Sequence, residues 1–409
     1  MVWGSMELKV YFSVCGLGLG HVFRMLNVAK ALGDRVEVLF SAYDEAVEVI
    51  RGMGFKCVVV PSIELEMGRD STVLSSRVAA YFPKKFFTFL RQLGVEVKVL
   101  RWFKPDVVVS DSRLSTVVAC WLLRVPCFLV ANQLNVVLPV WSEGGFWVGW
   151  RRKIAEGFVA FILAKLWGRA SKIFVPDFPP PLTISIRNVE RALRFLGNSV
   201  RFIGPILSED MAMGDVDCFE ARRRLGLPLN KRIIYVSANG TRLERLVFLR
   251  LIFKILKRVN EADWYFVVSL GFPNRDPRRI LLGSGFEVWN WIPDRKTILS
   301  ACDVVVSRPG HGTILEALWF RKPLVLIPTP GHSEKFCNAQ TAAALGVAKI
   351  IEQSEFNYSL FTRTIRNILS TNRDSLMDSN IRLKFFKAKL NGLERLLKEI
   401  FRWNDKVLT

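Results

Sequence analysis

The chain contains three histidines, and each stands in a glycine-containing loop directly after a segment that reads as a strand. His21 closes Gly16-Leu-Gly18-Leu-Gly20-His21. His311 lies in Pro309-Gly310-His311-Gly312-Thr313, and His332 in Pro330-Gly331-His332-Ser333-Glu334. Parallel sheets bind ligands outside the carboxyl ends of their strands, so all three imidazoles fall where a ligand would lie. A neutral imidazole takes up a proton near pH 7. His21, after the first strand, is therefore the candidate base for activating a hydroxyl. A carboxylate would orient it and stabilise the imidazolium, and Asp111 ends a later strand of the same sheet.

A second constellation runs from Asp303 to Gln353 as strand, glycine loop, helix, strand, loop, helix, strand. Gly310, Gly312 and Thr313 open a helix whose N-terminal amides would form an anion site suited to a diphosphate. Glu316, three residues on and expected in the first turn, suits the vicinal hydroxyls of a ribose; an acid there also favours the helix dipole. The first glycine loop lets backbone approach a ligand closely at Gly18 and Gly20. It lacks the G-x-G-x-x-G spacing of a nicotinamide or flavin site. Asp215-Val-Asp217 resembles a metal-holding D-x-D but reads as a solvated loop in an acidic linker, and no other cluster has metal-ligand spacing.

The elements that must position these groups alternate regularly. Strands are expected at Leu8–Val14, Val36–Phe40, Cys57–Val60, Asp106–Ser110 and Cys127–Ala131, with helices between. After Ile203-Gly204-Pro205-Ile206, read as a linker, the pattern restarts. Its strands are Ile233–Ser237, followed by Ala238-Asn239-Gly240-Thr241, then Trp264–Leu270, Asp303–Ser307, Leu324–Ile327 and Ala348–Ile351. Short β-branched runs alternating with helices give an α/β fold with parallel sheets. Two doubly wound domains would face each other across one cleft.

A chain of 409 residues, half of them apolar, can fill two such cores. The net charge of +21 asks for an acidic partner, and it is clustered. Residues 69–104 hold eight Lys/Arg against two Asp/Glu, 151–172 six against one, and 380–409 eight against three. Seven cysteines without a C-x-x-C pair read as small buried hydrophobes in a reducing compartment. No signal peptide or membrane-spanning run of about 20 apolar residues is expected. No nucleic-acid motif accompanies the charge.

The 303–353 segment is similar to the donor-binding half of the N-acetylglucosaminyltransferase that forms lipid II, MurG-like with a glycosyltransferase family 28 C-terminal domain, and to its archaeal relatives. Ser307-Arg308-x-Gly310, Glu316 ahead of Arg321-Lys322-Pro323, the Pro328 loop, Asn338-Ala339 and Gly346-x-Ala348-Lys349-Ile350-Ile351 carry the resemblance. Gly18-x-Gly20-His21 and Lys104-Pro105-Asp106-Val-Val-Val-Ser-Asp111 fit the wider GT-B set. The resemblance implies a GT-B fold with an acceptor domain at 1–204, a donor domain at 205–379 and a basic C-terminal helix within 380–409, packed back on the first domain. It implies Glu316 on the ribose, Ile292 against the uracil, Gly310–Thr313 at the diphosphate, and Asn239, Gly240, Arg308, His332, Glu334 and Lys335 around the donor. His21 and Asp111 match the His and Asp of plant small-molecule glycosyltransferases. Leu207 replaces the arginine expected after the hinge, and Glu334-Lys335 the usual glutamine pair.

The expectation is an inverting hexosyltransferase using a UDP-sugar, with no cofactor or metal. Its acceptor would be polyprenyl-linked, on the inner, anionic face of a membrane. The alternatives are a UDP-GlcNAc epimerase of the same fold and a transferase with a soluble acceptor. The membrane expectation rests on two stretches that pair charge with aromatics: 77–91, with Lys84, Lys85, Phe86, Phe87, Leu90 and Arg91, and 147–165, with Trp147, Trp150, Phe158, Phe161, Ile162 and Lys165.

Overall fold

A computed structural model describes residues 8–63, 67–73, 78–135, 146–214, 216–273, 277–282, 285–370 and 391–408. The first half is β1 (Leu8–Val14), α1 (Leu19–Leu32), β2 (Val36–Ala42), α2 (Glu45–Gly52), β3 (Lys56–Val59), α3 (Val78–Phe103) and β4 (Val107–Asp111). It continues with α4 (Leu114–Leu123), β5 (Cys127–Val130), α5 (Phe146–Trp167), β6 (Lys172–Val175), α6 (Ile186–Leu196) and β7 (Val200–Phe202). Its sheet is parallel throughout, in the order β3-β2-β1-β4-β5-β6-β7. β1 shows why. Side chains alternate across a strand, and here Val10, Phe12 and Val14 enter one core while Tyr11 enters the other. Both faces of the strand are apolar because helices cover both.

The second half begins with α7 (Glu209–Ala212), α8 (Cys218–Leu225), β8 (Arg232–Ser237), α9 (Arg242–Leu256), β9 (Trp264–Ser269), β10 (Arg279–Leu282) and β11 (Phe286–Trp289). It ends with α10 (Arg295–Ala301), β12 (Val304–Ser307), α11 (His311–Trp319), β13 (Leu324–Leu326), α12 (Ser333–Ala344), β14 (Ala348–Ile350), α13 (Tyr358–Ser370) and α14 (Gly392–Leu408). Its sheet runs β10-β11-β9-β8-β12-β13-β14, parallel except for the β10–β11 hairpin at the edge. β8 alternates as β1 does, with Ile233 and Tyr235 in one core and Ile234 and Val236 in the other.

Ile206 packs in the first half's core and Leu207 in the second's, which Phe178, Leu182 and Ile184 of the first half also join. α14 returns to the first half. Leu393, Leu396 and Ile400 join its core, Lys172 pairs with Glu399, and Trp403 meets Phe128 edge-on. Gly392 lies so close to the Gly204 carbonyl that a Cβ there would sit 2.2 Å from it. Residues 380–390 and Asp215 lie outside the described residues. Asp217 caps α8 by accepting from the Phe219 and Glu220 amides, so this half of the D-x-D is a helix cap.

Candidate active site

Strand order reverses between β1 and β4 in the first sheet and between β8 and β12 in the second. Such switch points are where open parallel sheets hold ligands. The two points face each other across one cleft, lined by Gly18–His21 and Asn132 on one side. On the other lie Asn239, Gly240, Trp291, Gly310–Thr313, Glu316, His332, Glu334 and Lys335. A Cβ built on Gly18 would lie 3.5 Å from the Gly240 carbonyl carbon, so here the walls meet backbone to backbone.

β4 ends on Asp111, which is fully buried, and α1 carries His21 in its first turn. His21 Nδ1 lies 2.7 Å from Asp111 Oδ1. Arg24, one turn further along α1, donates through Nε to Asp111 Oδ2 at 2.5 Å and through Nη2 to Oδ1. Burial alone would raise the Asp111 carboxyl, but Arg24 and His21 outweigh it and hold the pKa at about 2. Arg24 Nη2 is also 2.9 Å from His21 Nδ1. That nitrogen carries at most one proton, so donating it to Asp111 leaves Nε2 as the basic atom. Arg24 Nη1 reaches Asn132 Oδ1 at 3.1 Å, and Asn132 Nδ2 reaches Glu334 Oε1 at 2.9 Å. A hydrogen-bonded chain thus crosses the cleft from His21 to Glu334.

On the opposite wall α11 starts after Gly310, with no described side chain capping it. The amides of its first turn are left for an anion. Asn239 Nδ2 ties this loop down through Ser307 Oγ (2.8 Å), the Arg308 carbonyl (3.1 Å) and Thr313 Oγ1 (2.9 Å). No Cβ neighbour lies within 4 Å of Gly312 or Gly20, so both leave open space. Glu316 lies in the second turn rather than the first, because the helix begins at His311. Among the described residues, no group of three or more His, Cys, Asp or Glu could hold a metal ion.

Residues 244–392 match the family model of the glycosyltransferase family 28 C-terminal domain. An uncharacterized glycosyltransferase of Methanosarcina acetivorans is 28% identical over 350 residues, covering 85% of this chain and 86% of that protein. The UDP-N-acetylglucosamine--N-acetylmuramyl-(pentapeptide) pyrophosphoryl-undecaprenol N-acetylglucosamine transferase of Exiguobacterium sibiricum is 22% identical over 420 residues, covering 97% and 100%. The crystal structure of Acinetobacter baumannii MurG superposes with a TM-score of 0.57 at 15% identity, over 97% of this chain and 99% of that one. The chain is a glycosyltransferase of the GT-B fold, similar to MurG.

Several residues expected at the donor serve the glycosyltransferase differently. Ile292 is 2% exposed and packs in the core, so its side chain cannot lie against a base; Trp291 lines the cleft instead, stacked on Phe23 from the opposite wall (5.0 Å, 12°). Arg308 is fully buried and donates to the Ile327 and Pro328 carbonyls and to Gln353. It braces the loop behind the site. Lys335 is spent on Glu244 at 2.5 Å. Burial would raise the Glu244 carboxyl, but Lys335 and His332 hold it well below its usual range. Glu244 also completes the capping box of α9 with Thr241. His311 Nε2 meets buried Asp177 of the first half at 3.0 Å.

His332 and Glu334 do line the cleft. Burial, then Lys335, lowers the His332 pKa. Glu334 is lowered against its burial, chiefly by His332 and His21. Sequence reasoning missed Arg24, Asn132, Glu244 and Arg295. The signals were available only for Arg24, three residues from His21 on the same helix face, and for Asn132, just past a strand end.

Proposed function

We propose that this glycosyltransferase moves a hexose, N-acetylglucosamine or a close relative, from a UDP-sugar to a hydroxyl of a polyprenyl-linked acceptor, in one displacement with inversion. The observation that carries the reading is the pairing across one cleft of the buried Asp111–His21 dyad with the uncapped start of α11. His21 Nε2 would take the acceptor proton while the anomeric carbon–oxygen bond to the diphosphate breaks. The α11 amides, preorganised by the helix, would hold the departing charge. Glu316 would accept from the ribose, and Glu334 from the sugar. The name of the Exiguobacterium relative supports both the UDP-sugar and the lipid-linked acceptor. The lipid also agrees with the outer surface of the first half, where Phe86, Phe87 and Leu90 of α3 and Phe158, Phe161 and Ile162 of α5 are exposed.

A thermal-shift panel of UDP, GDP and UDP-sugars tests the donor, since a ligand that binds only the folded state raises the melting point. UDP should stabilise most, and Glu316→Ala should weaken it by roughly 1–3 kcal/mol, the scale of a hydrogen bond to a charged group. Wild-type UDP affinity in folded Glu316→Ala would remove Glu316 from the donor site.

A further inference from the structure

We infer that Arg295 is a positioning residue for the donor nucleotide: it grips Glu316 by one carboxylate oxygen and leaves the other to the ribose. The inference rests on the reading of Glu316 as the ribose ligand. Arg295 Nε donates to Glu316 Oε2 at 3.0 Å, and Nη2 donates to that same oxygen. Among the described residues no hydrogen bond reaches Oε1. Both side chains are 19% exposed and both line the cleft.

The backbone that delivers Arg295 is pinned on its N-terminal side. Ile292 is anchored in the core, and Asp294 caps α10 by accepting from the Thr297 amide at 2.9 Å. Arg295 is therefore the first residue of a capped helix, with its guanidinium 6.0 Å from the Trp291 ring centroid. Glu316 projects from the second turn of α11, the helix whose start faces the cleft. With both guanidinium contacts on Oε2, the last torsion of Glu316 is fixed and Oε1 is the oxygen left to accept. A carboxylate free to rotate would have to be ordered on binding, at a cost in side-chain entropy. The arginine has donors only. It cannot accept from a ribose hydroxyl, so its effect on the ribose passes through Glu316.

The test compares UDP with 2′-deoxy-UDP by titration calorimetry on the full chain, in wild type, Arg295→Met, Arg295→Lys and Glu316→Ala. Wild type should prefer UDP by roughly 10-fold or more, the scale of one hydrogen bond to a charged group. Arg295→Met keeps an unbranched stem against Trp291. It should weaken UDP while leaving 2′-deoxy-UDP nearly unchanged, bringing the preference to within about 3-fold; the retained 2′-deoxy-UDP affinity shows that the cleft is folded. Arg295→Lys, a cation without the fork, should fall between. An unchanged preference in Arg295→Met overturns the inference, whether both affinities drop together, as for an arginine on the phosphates, or neither moves. A wild type without ribose preference overturns it too. Glu316→Ala separates the two readings. If it binds both nucleotides as wild type does, the ribose assignment itself fails. If it loses the preference while Arg295→Met keeps it, only the role of Arg295 fails.

Discussion

His21 Nδ1 has two neighbours and one proton, and the competition between Asp111 and Arg24 for that atom sets how the dyad behaves. With the proton shared to Asp111, His21→Ala should lower transfer to a hydroxyl about 100-fold or more while donor affinity stays nearly constant. Full turnover in that variant would mean a phosphate acceptor or a base elsewhere. Asp111→Asn should do more than weaken the orientation of His21. The buried Asp111 carboxylate also accepts from Arg24 Nε and Nη2, so the amide leaves that cation without its anion, at about 3–5 kcal/mol for a broken buried pair. The pH dependence has a definite sign. The folded-state pKa of about 2 lies below the ordinary value, so Asp111 stabilises the fold fully above about pH 4. That contribution, roughly 2–3 kcal/mol, is lost as pH falls from 4 to 2. Urea midpoints between pH 6 and pH 2.5 should therefore converge for wild type and Asp111→Asn. A gap independent of pH would contradict the assignment.

The loops that join strand to helix hold the site, and their glycines differ in what they tolerate. Gly18 has φ 91 and ψ 157, a region essentially closed to other residues, yet an added Cβ would meet only ordinary contacts at 3.5 Å. Gly18→Ala should cost roughly 1–3 kcal/mol of backbone strain. Gly240, at φ 99, is tighter. A Cβ there would lie 2.5 Å from Glu244 Oε2 and 2.6 Å from Lys335 Nζ, forcing a buried ion pair apart. Urea denaturation should rank Gly240→Ala as the more damaging, with donor binding lost as well; the reverse order would refute this account. The central strands were legible because β1, β4, β8 and β12 are buried on both faces and read as unbroken β-branched runs. β10, every residue exposed on an antiparallel edge, and β7, with no buried residue, carry no such run, and in β6 the run is only the three residues Ile173–Val175; none of the three strands is foreseen. Glycine loops and histidines announced the cleft, since their types are rare and their spacing local. The partners of Asp111 and Asn132 were illegible for the opposite reason. Arg24 lies 87 and 108 positions from them, and Glu334 is 202 from Asn132. The fold of the first half brings Arg24 to Asp111 and Asn132, and only the packing of the two halves brings Glu334 to Asn132.

The two halves are fastened across the cleft by the Arg245–Glu45 pair, His311–Asp177, Asn132–Glu334 and the Phe23–Trp291 stack. In the proposed function the donor loops lie on one wall, so the acceptor would be presented from the other. That half also carries a face of exposed apolar side chains. α3, α4 and α5 lie side by side over one face of the first sheet, and their outer sides show Phe86, Phe87, Leu90, Trp121, Leu122, Phe158, Phe161 and Ile162. Lys84, Lys85, Arg91 and Lys165 lie among them in sequence. The side chains at 78–82 and 146–153, which the sequence reading also placed here, are outside the described set, as is Arg77. No helix among the described residues is long and apolar enough to cross a membrane. A face of this kind suits a headgroup layer, with aromatics inserted and cations on anionic lipid at about 1 kcal/mol each. Charge of this sort is screened within about 10 Å at 0.1 M salt, whereas apolar insertion is not. Flotation with liposomes should therefore be strong with anionic lipid at low salt, weaker at high salt and weakest without anionic lipid. Replacing exposed Phe87 and Phe158 by serine should reduce flotation at both salt levels by roughly 10-fold, because each fully buried side chain of this size contributes about 1.5–3 kcal/mol and insertion buries only part of it. Failure to float under every lipid and salt condition would take the membrane out of the proposed function and leave a soluble acceptor.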